Sequence, residues 1–365
     1  MPWLLNGICP YFTMFPLQYP VNILNNTQKD TIVLDPFCGR GTSIFAARMF
    51  GYNAYGIDNN PVAVAISKSK LSAATVEMIM ETLNKALDYT GNYDIPQSEF
   101  WQWAFEMTVL EQLCKIRAYL HQHDGMTENA LRGIILGALH GPKAKQMENN
   151  SYLSNQMPRT FSSKPSYSIS YWKKHNIKPD KISIAAVVKK RAQRYYNDVI
   201  PEVNSNIING DSRENASYRQ LPPMTLIITS PPYYGMRTYY IDQWLRNWFL
   251  GGPDVPVNIL NNQMDHSSPD DFARNLGMVW KNCARFTTPD ARMYVRFGSI
   301  PSRKTSARDI FEKSIALSEN AWRIIAVSDA GNSSCGKRQA AQMLVGQKRK
   351  SEPINEIDVE LIKNA

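Results

Sequence analysis

The stretch that decides the fold reads Thr31-Ile32-Val33-Leu34-Asp35-Pro36-Phe37-Cys38-Gly39-Arg40-Gly41-Thr42. Its first four residues are β-branched or apolar, and they predict a short buried strand. Two glycines one residue apart then allow a sharp turn and a close approach of the backbone to a ligand. A helix predicted over 42–50 begins with free N–H groups that can bind such a ligand. The spacing matches neither the dinucleotide fingerprint nor a P-loop.

A second strand follows directly and ends in a carboxylate. Residues 53–57 predict the strand, Asp58 comes next, and 61–68 predict another helix with a proline in its first turn. A carboxylate at that place can accept hydrogen bonds from both hydroxyls of a ribose. The glycines alone fit a plain tight turn. Together with Asp35 and Asp58 they favour a cofactor that carries a nucleoside.

The α/β alternation stops and later resumes. Residues 71–142 have helical periodicity, whereas strands are predicted at 206–209, 225–229, 291–297 and 322–327, with a helix at 269–286. We therefore expect a discontinuous catalytic domain of 1–70 and 206–345, an insert of 71–205, and a charged tail of 346–365. Trp244 and Trp248 are expected to pack a helix onto the sheet.

Composition excludes several classes of protein. The chain has 365 residues, 43% hydrophobic and 20% charged, which is typical of globular proteins. Apolar runs stay shorter than the roughly 18 residues of a membrane span, and the first residues lack the charged region of a signal peptide. The five cysteines are scattered without metal-ligand spacing, so we expect no disulfide scaffold and no metal. A cytoplasmic protein is the expectation.

The positive charge is concentrated in the insert. The whole chain carries +9, and residues 143–194 hold twelve basic side chains against two acidic ones. Aromatic and serine residues are interleaved with these cations, a mixture that suits phosphate contacts and base stacking. A solvated face on an ordinary subdomain is the alternative. The pattern favours contact with nucleic acid.

A second turn follows the strand predicted at 225–229 and reads Thr229-Ser230-Pro231-Pro232-Tyr233-Tyr234. The two prolines fix two φ angles and remove two N–H donors, so their carbonyls stay as acceptors with a set direction. With the serine hydroxyl and an aromatic ring beside them, this turn can accept hydrogen bonds from an amino group and stack a flat ring. A merely stiffened loop is the alternative reading.

The two turns together resemble the DNA amino-methyltransferases that use S-adenosylmethionine. DPFCGRGT at 35–42 is similar to that family's cofactor motif, and TSPPYY at 229–234 to its base-binding motif. YFTMFP at 11–16 resembles the segment that packs on the cofactor, and GDS at 210–212 the acidic third-strand motif. The resemblance implies a Rossmann-like class I methyltransferase sheet with helices on both faces, interrupted by a largely helical, basic insert that recognises double-stranded DNA.

The resemblance also implies roles for individual residues. The cofactor would be held by Tyr11, Phe12, Thr13, Asp35, Pro36, Phe37, Gly39, Gly41, Thr42, Asp58, Asn59, Asp211 and Ser212. The catalytic turn would comprise Ser230, Pro231, Pro232 and Tyr233, with Tyr233 stacking on a flipped base. Contacts to DNA are predicted for Arg159, Lys164, Lys173, Lys174 and Arg237.

The SPPY form is more typical of cytosine-N4 methylation, and adenine-N6 methylation is the nearest alternative. Cytosine-C5 chemistry is not expected, because the enzymes that perform it use a Pro-Cys nucleophile and the sequence contains no such pair. An RNA base methyltransferase and a methyltransferase-like protein that only binds DNA are further alternatives. A cognate restriction endonuclease is an expected partner of such an enzyme.

Overall fold

The computed structural model describes residues 2–11, 16–144, 150–157, 164–235, 240–257, 263–299, 305–332 and 355–364. The chain divides into two compact units. The helical unit comprises Met1–Pro10, Lys68–Ile200 and Tyr239–Leu260, and the sheet unit comprises Tyr11–Ser67, Pro201–Thr238 and Asn261–Ala365. Within the described residues, no helix is both long and apolar enough to cross a membrane.

The sheet unit is built on seven described strands. They are β1 (Ile32–Asp35), β2 (Asn53–Asp58), β3 (Asn206–Asn209), β4 (Met224–Thr229), β5 (Thr287–Gly298), β6 (Trp322–Asn332) and β7 (Asn355–Lys363). Their order is β3-β2-β1-β4-β5-β7-β6. The pairs from β3 to β5 are parallel, and β7 runs antiparallel to both of its neighbours. This arrangement confirms the predicted α/β, Rossmann-like methyltransferase sheet.

The described residues also form helices in both units. They are α1 (Gln18–Leu24), α2 (Thr42–Met49), α3 (Pro61–Leu71), α4 (Val76–Leu87), α5 (Glu99–Ala104), α6 (Met107–Gln122), α7 (Met126–Ala138), α8 (Pro165–Lys174), α9 (Ile184–Tyr195), α10 (Trp244–Phe249), α11 (Pro269–Arg285) and α12 (Ala307–Ala316). Short 3₁₀ turns occupy Pro2–Gly7, Asn215–Tyr218 and Tyr240–Gln243.

Helices cover both faces of the sheet. Leu34, Ile57 and Ile227 point to one face, where they join a buried cluster with Trp280 of α11 and Phe311 of α12. Alternate residues of a strand point to opposite faces, and on the other face α2 contacts β1 and β2. The short strands β1, β2 and β4 are therefore shielded on both sides, which explains their nearly continuous apolar sequences.

The helical unit has an aromatic centre. The ring of Trp101 lies 4.3 Å from that of Trp248 and 5.7 Å from that of Trp244. Its indole N–H donates to the carbonyl of Asp254 at 3.1 Å. These contacts place α10 in the helical unit, and the expectation that Trp244 and Trp248 pack a helix onto the sheet is wrong.

The units also differ from the expected domain boundaries. Met1–Pro10 groups with the helices instead of the sheet, and the helical unit's central segment ends at Ile200. The expected tail of 346–365 contains β7, whose Val359 and Leu361 are buried. Acidic residues alternate with these apolar ones and pair with arginines of β5, so the charges belong to one face of a strand.

Candidate active site

The ends of three neighbouring parallel strands meet at one edge of the sheet, because β2, β1 and β4 are adjacent. Two hydrogen bonds tie their loops together. Thr229 Oγ1, at the end of β4, donates to Asp35 Oδ1, at the end of β1, over 2.6 Å. The backbone N–H of Gly39 donates to Asp58 Oδ2, at the end of β2, over 2.9 Å. The glycine turn and the Ser230 turn therefore lie side by side.

The glycine turn requires two left-handed backbone positions. Gly39 has φ +50° and Gly41 has φ +73°, and Gly41 is the N-terminal cap of α2. A Cβ on Gly41 would come within 2.7 Å of Ser67 Oγ, whereas a Cβ on Gly39 would meet only Phe37 O, at 3.9 Å. Gly41 thus serves the packing of α2 on α3, and Gly39 leaves room beside the turn for a ligand.

Asp35 is a fully buried carboxylate with an exposed fraction of 0%. Its Oδ1 accepts from Thr229 Oγ1 and from the backbone N–H of Phe37 at 3.1 Å. Burial raises the pKa of Asp35 to about 6, against the hydrogen bonds that lower it. Near neutral pH it is therefore ionised at an energetic cost, while it holds both turns in place.

Asp58 connects the glycine turn to the start of α3. Its Oδ2 accepts from Gly39 and its Oδ1 accepts from the backbone N–H of Asn60 at 2.8 Å. Burial raises the pKa of this carboxyl to about 6. Each carboxylate oxygen has a further lone pair, so both can still accept from a ribose hydroxyl.

Asn59 follows Asp58 in the sequence, and Tyr11 lies close to this carboxylate in space. The side-chain amide of Asn60 donates to the Tyr11 hydroxyl at 2.9 Å, which places Tyr11 beside the end of β2. Asn59 is exposed.

The loop after β3 carries Asp211 and Ser212, and both are already engaged within the protein. Asp211 Oδ1 accepts from the backbone N–H of Arg213 at 2.9 Å, and the guanidinium of the same arginine pairs with the carboxylate. The Ser212 hydroxyl donates to the carbonyl of Pro36. Ser212 therefore supports the glycine turn, a role that the sequence did not indicate, whereas the Asp211 carboxylate is engaged by Arg213.

The Ser230 turn is anchored from beneath by β7. The Tyr233 hydroxyl donates to Glu356 Oε1 at 2.7 Å, and its ring meets Phe297 edge-on, 6.1 Å between centroids. Burial, reinforced by Glu356, keeps the pKa of Tyr233 well above its usual value, so the phenol stays protonated as a donor. Its side chain, only 8% exposed, lies in the core. This differs from the expected stacking on a base, which needs an open ring face.

Ser230 itself is partly buried, as is Pro232, and Pro231 is buried. A side-chain hydrogen bond of Ser230 lowers the pKa of Tyr233, which connects the turn's serine to the anchor. Glu356 is 5% exposed. Sequence reasoning missed Glu356 because it lies in the expected tail, although the alternation of Ile357, Val359 and Leu361 is a strand signal.

The predicted DNA contacts lie apart from this edge in the sequence. Lys164 is the residue before α8 and Lys174 is the last residue of that helix, and both are exposed. The Lys173 ammonium, by contrast, forms an ion pair with Glu99 at 2.5 Å. Four predicted site residues fall outside the described residues, namely Phe12, Thr13, Arg159 and Arg237. Within the described part of the chain, no group of three metal-ligating side chains occurs.

Residues 7–69 match a family model described as DNA methylase, the N6/N4 methyltransferases. The match includes the glycine turn, β2 and most of α3. No curated protein matches the chain at a significant level.

Several solved methyltransferase structures align with this chain at low sequence identity. The rRNA methyltransferase aviRa from Streptomyces viridochromogenes is 10% identical, covering 100% of this chain and 93% of its own, with a TM-score of 0.36. An rRNA methylase from Streptococcus thermophilus is 8% identical; the alignment covers 97% of this chain and 100% of that protein, with a TM-score of 0.35. A TehB-like SAM-dependent methyltransferase from Corynebacterium glutamicum is 8% identical; the alignment covers 96% of this chain and 89% of that protein, with a TM-score of 0.35.

The family match and the sheet support a methyltransferase, with S-adenosylmethionine as its cofactor. The residues fit that molecule in two respects. The side of Gly39 where a Cβ would stand is open, and Asp58 retains acceptor capacity at the end of β2.

Proposed function

We propose that this protein is a DNA methyltransferase that transfers a methyl group from S-adenosylmethionine to the exocyclic N4 of cytosine. The hydrogen bond from Thr229 to Asp35 carries the proposal, because it joins the cofactor turn to the target turn. A methyl donor and an amino acceptor held on these turns would be neighbours. Bringing two reactants together in the right orientation can supply much of an enzyme's rate acceleration.

The cofactor supplies an electrophilic methyl group when it is bound. In our proposal the backbone at Pro36, Phe37, Gly39 and Thr42 lines its site, and Asp58 accepts from its ribose hydroxyls. Asp35 has no exposed surface, so we assign it a positioning role through the turn. Ser212 supports the turn through the Pro36 carbonyl, Asp211 remains a proposed cofactor contact, and Tyr11 contributes from the segment before α1. Asn59 remains a proposed contact.

The Ser230 turn would accept the two N–H groups of the target amine. An exocyclic amino nitrogen is a poor nucleophile because its lone pair is delocalised into the ring. Hydrogen bonds to Ser230 Oγ and to the Pro231 carbonyl would draw the nitrogen towards a tetrahedral shape and stabilise its developing positive charge. Pro232 and Tyr233 keep this turn rigid, Tyr233 through its hydrogen bond to Glu356. The positively charged nitrogen loses its proton to water after the transfer, so no strong base is required.

A base inside a duplex must flip out before it can reach such a turn, at a cost of a few kcal/mol. Cations of the helical unit would offset that cost through phosphate contacts, and we retain Lys164, Lys173 and Lys174 as such contacts. Lys173 would have to exchange its ion pair with Glu99 for the phosphate.

Cytosine is favoured over adenine by the serine at the start of the turn. The matching family model covers both kinds of target, which keeps adenine-N6 as the alternative. We further propose that the protein is cytoplasmic and that a restriction endonuclease shares its recognition sequence.

The product identifies the target. Plasmid DNA incubated with the protein and labelled S-adenosylmethionine should, after digestion to nucleosides, contain N4-methylcytosine by mass spectrometry. N6-methyladenine would transfer the proposal to the alternative base. Methylation of RNA with unmodified DNA, or cofactor binding without any transfer, would refute it.

Ser230→Ala tests the target turn separately. We expect a lower kcat and a nearly unchanged affinity for S-adenosylmethionine, because the serine lies on the target turn. Ser328→Ala, at an exposed position of β6, is the matched control. An equal loss of cofactor affinity would contradict the role of Ser230.

A further inference from the structure

One face of α9 is a row of exposed cations. The exposed positions of this helix lie at helical spacing and are Ala186, Lys189, Lys190, Gln193 and Arg194. The helix contains no acidic residue, and the first one after it is Asp198. This surface, called here the α9 face, therefore presents three exposed cations, Lys189, Lys190 and Arg194, along about two turns of helix.

The α9 face is presented by a well-anchored helix. The Ser183 hydroxyl caps the N-terminus by accepting from the backbone N–H of Ala186 at 3.2 Å. Ile184, Val187 and Val188 are buried on the opposite side, and α9 contacts α4 and α7. The cations thus stand on a rigid scaffold whose form does not depend on them.

Arg191 shows that the fold separates structural from surface cations. It is 6% exposed, its Nε donates to the carbonyl of Ser151 at 2.9 Å, and its guanidinium lies 5.1 Å from the ring of Tyr152. Arg194 also touches a ring, that of Tyr195 at 5.7 Å, yet it is exposed on the α9 face. Of the cations of this helix, Arg191 is buried within the protein and the others face outward.

The spacing of the exposed cations suits a phosphate backbone. At about 1.5 Å of rise per residue, Lys189 and Arg194 are about 7.5 Å apart along the helix axis. Successive phosphates of one DNA strand advance about 3.4 Å each, so this distance spans about two steps.

We propose that the α9 face binds the phosphate backbone of duplex DNA. This rests on the proposed function and deepens it, because the α9 face was not among the individual contacts expected from the sequence. The binding is electrostatic, and it positions the DNA without reading its sequence.

The test measures equilibrium binding of a fluorescent duplex by anisotropy over a series of salt concentrations. The variant Lys189→Gln/Lys190→Gln/Arg194→Gln should weaken binding about equally for unrelated sequences. The slope of log K against log salt should fall in magnitude by about 0.9 for each phosphate that the variant no longer neutralises, hence by about 1 to 3. A single phosphate left without its cation corresponds to about an eightfold weaker affinity at 0.1 M salt.

The matched control is Lys85→Gln/Arg308→Gln/Lys313→Gln, which removes the same charge from exposed positions elsewhere. Arg308 and Lys313 already pair with Glu312 and Asp270. The control should keep the wild-type slope, and circular dichroism should show the wild-type helix content in both variants. An unchanged slope in the α9 variant, or the same weakening in the control, would overturn the proposal.

Two further outcomes are distinguishable. If the α9 variant loses affinity for structured RNA but not for the duplex, the surface serves RNA and the proposal is overturned. Because the assay needs no methyl transfer, a wild-type protein that binds the duplex with the expected slope but methylates no base would refute the proposed function alone.

Discussion

Replacing the buried carboxylate at the end of β1 should stabilise the protein in a pH-dependent way. Asp35 is fully buried and its pKa is raised from 3.8 to about 6. A carboxyl whose folded-state pKa is raised adds stability below its unfolded pKa and loses it as the pH rises through the folded value. Asp35→Asn removes this titration, and its Oδ1 can still accept from Thr229 and Phe37.

The magnitude follows from the shift of about two pKa units. At about 1.4 kcal/mol per unit, ionised Asp35 costs about 3 kcal/mol at pH 8 and about half of that at pH 5. For a folding unit of the size of the sheet unit, about 2–4 °C per kcal/mol predicts that the melting temperature of Asp35→Asn relative to wild type rises by about 3–6 °C between pH 5 and pH 8.

Differential scanning calorimetry of Asp35→Asn and wild type over pH 5–8 measures this difference. Asp290→Asn, at an exposed position of β5, is the control and should show no such trend. A difference between Asp35→Asn and wild type that does not grow with pH would refute the reasoning. Affinity for S-adenosylmethionine should stay within about threefold, because Asp35 has no exposed surface; a larger decrease would mean that the carboxylate meets the cofactor directly.

Two further predictions concern the turns. Gly41→Ala should lower the melting temperature more than Gly39→Ala. Both substitutions impose a strain of about 1–2 kcal/mol because both φ angles are positive, but only the Cβ at position 41 would also clash with Ser67. Equal decreases in thermal melts would contradict the packing role of Gly41. Glu356→Leu should lower kcat, because it removes the acceptor of the Tyr233 hydroxyl at a cost of about 1–3 kcal/mol. Glu356→Gln keeps an acceptor and should retain most of the wild-type kcat. Steady-state kinetics in which both variants are equally impaired would contradict this anchoring.

Local signals in the sequence were sufficient for the centre of the fold. The predicted segments 42–50, 53–57 and 225–229 agree with α2, β2 and β4 within about one residue. A glycine turn, a buried β-branched run and a proline near a helix start each act over a few residues, so a single sequence reveals them.

Features that depend on contacts distant in sequence were not predictable in this way. The segment that forms β7 was predicted to be a charged tail, because the partners of its acidic residues, Arg292 and Arg296, lie more than sixty residues earlier in the sequence. A charged side chain carries no local mark of whether a partner or solvent will meet it.

The position of β7 separates the order of synthesis from the order of assembly. Among the described strands, β6 is hydrogen-bonded only to β7, and β7 is made after every other strand. A nascent chain on the ribosome therefore holds β6 without a neighbour, and the Ser230 turn without Glu356 beneath it, until residues 355–363 have emerged. The Ser230 turn is thus fully supported only once the sheet is complete. A chain interrupted before β7 would contain both the glycine turn and the Ser230 turn, but the Ser230 turn would lack its hydrogen bond to Glu356.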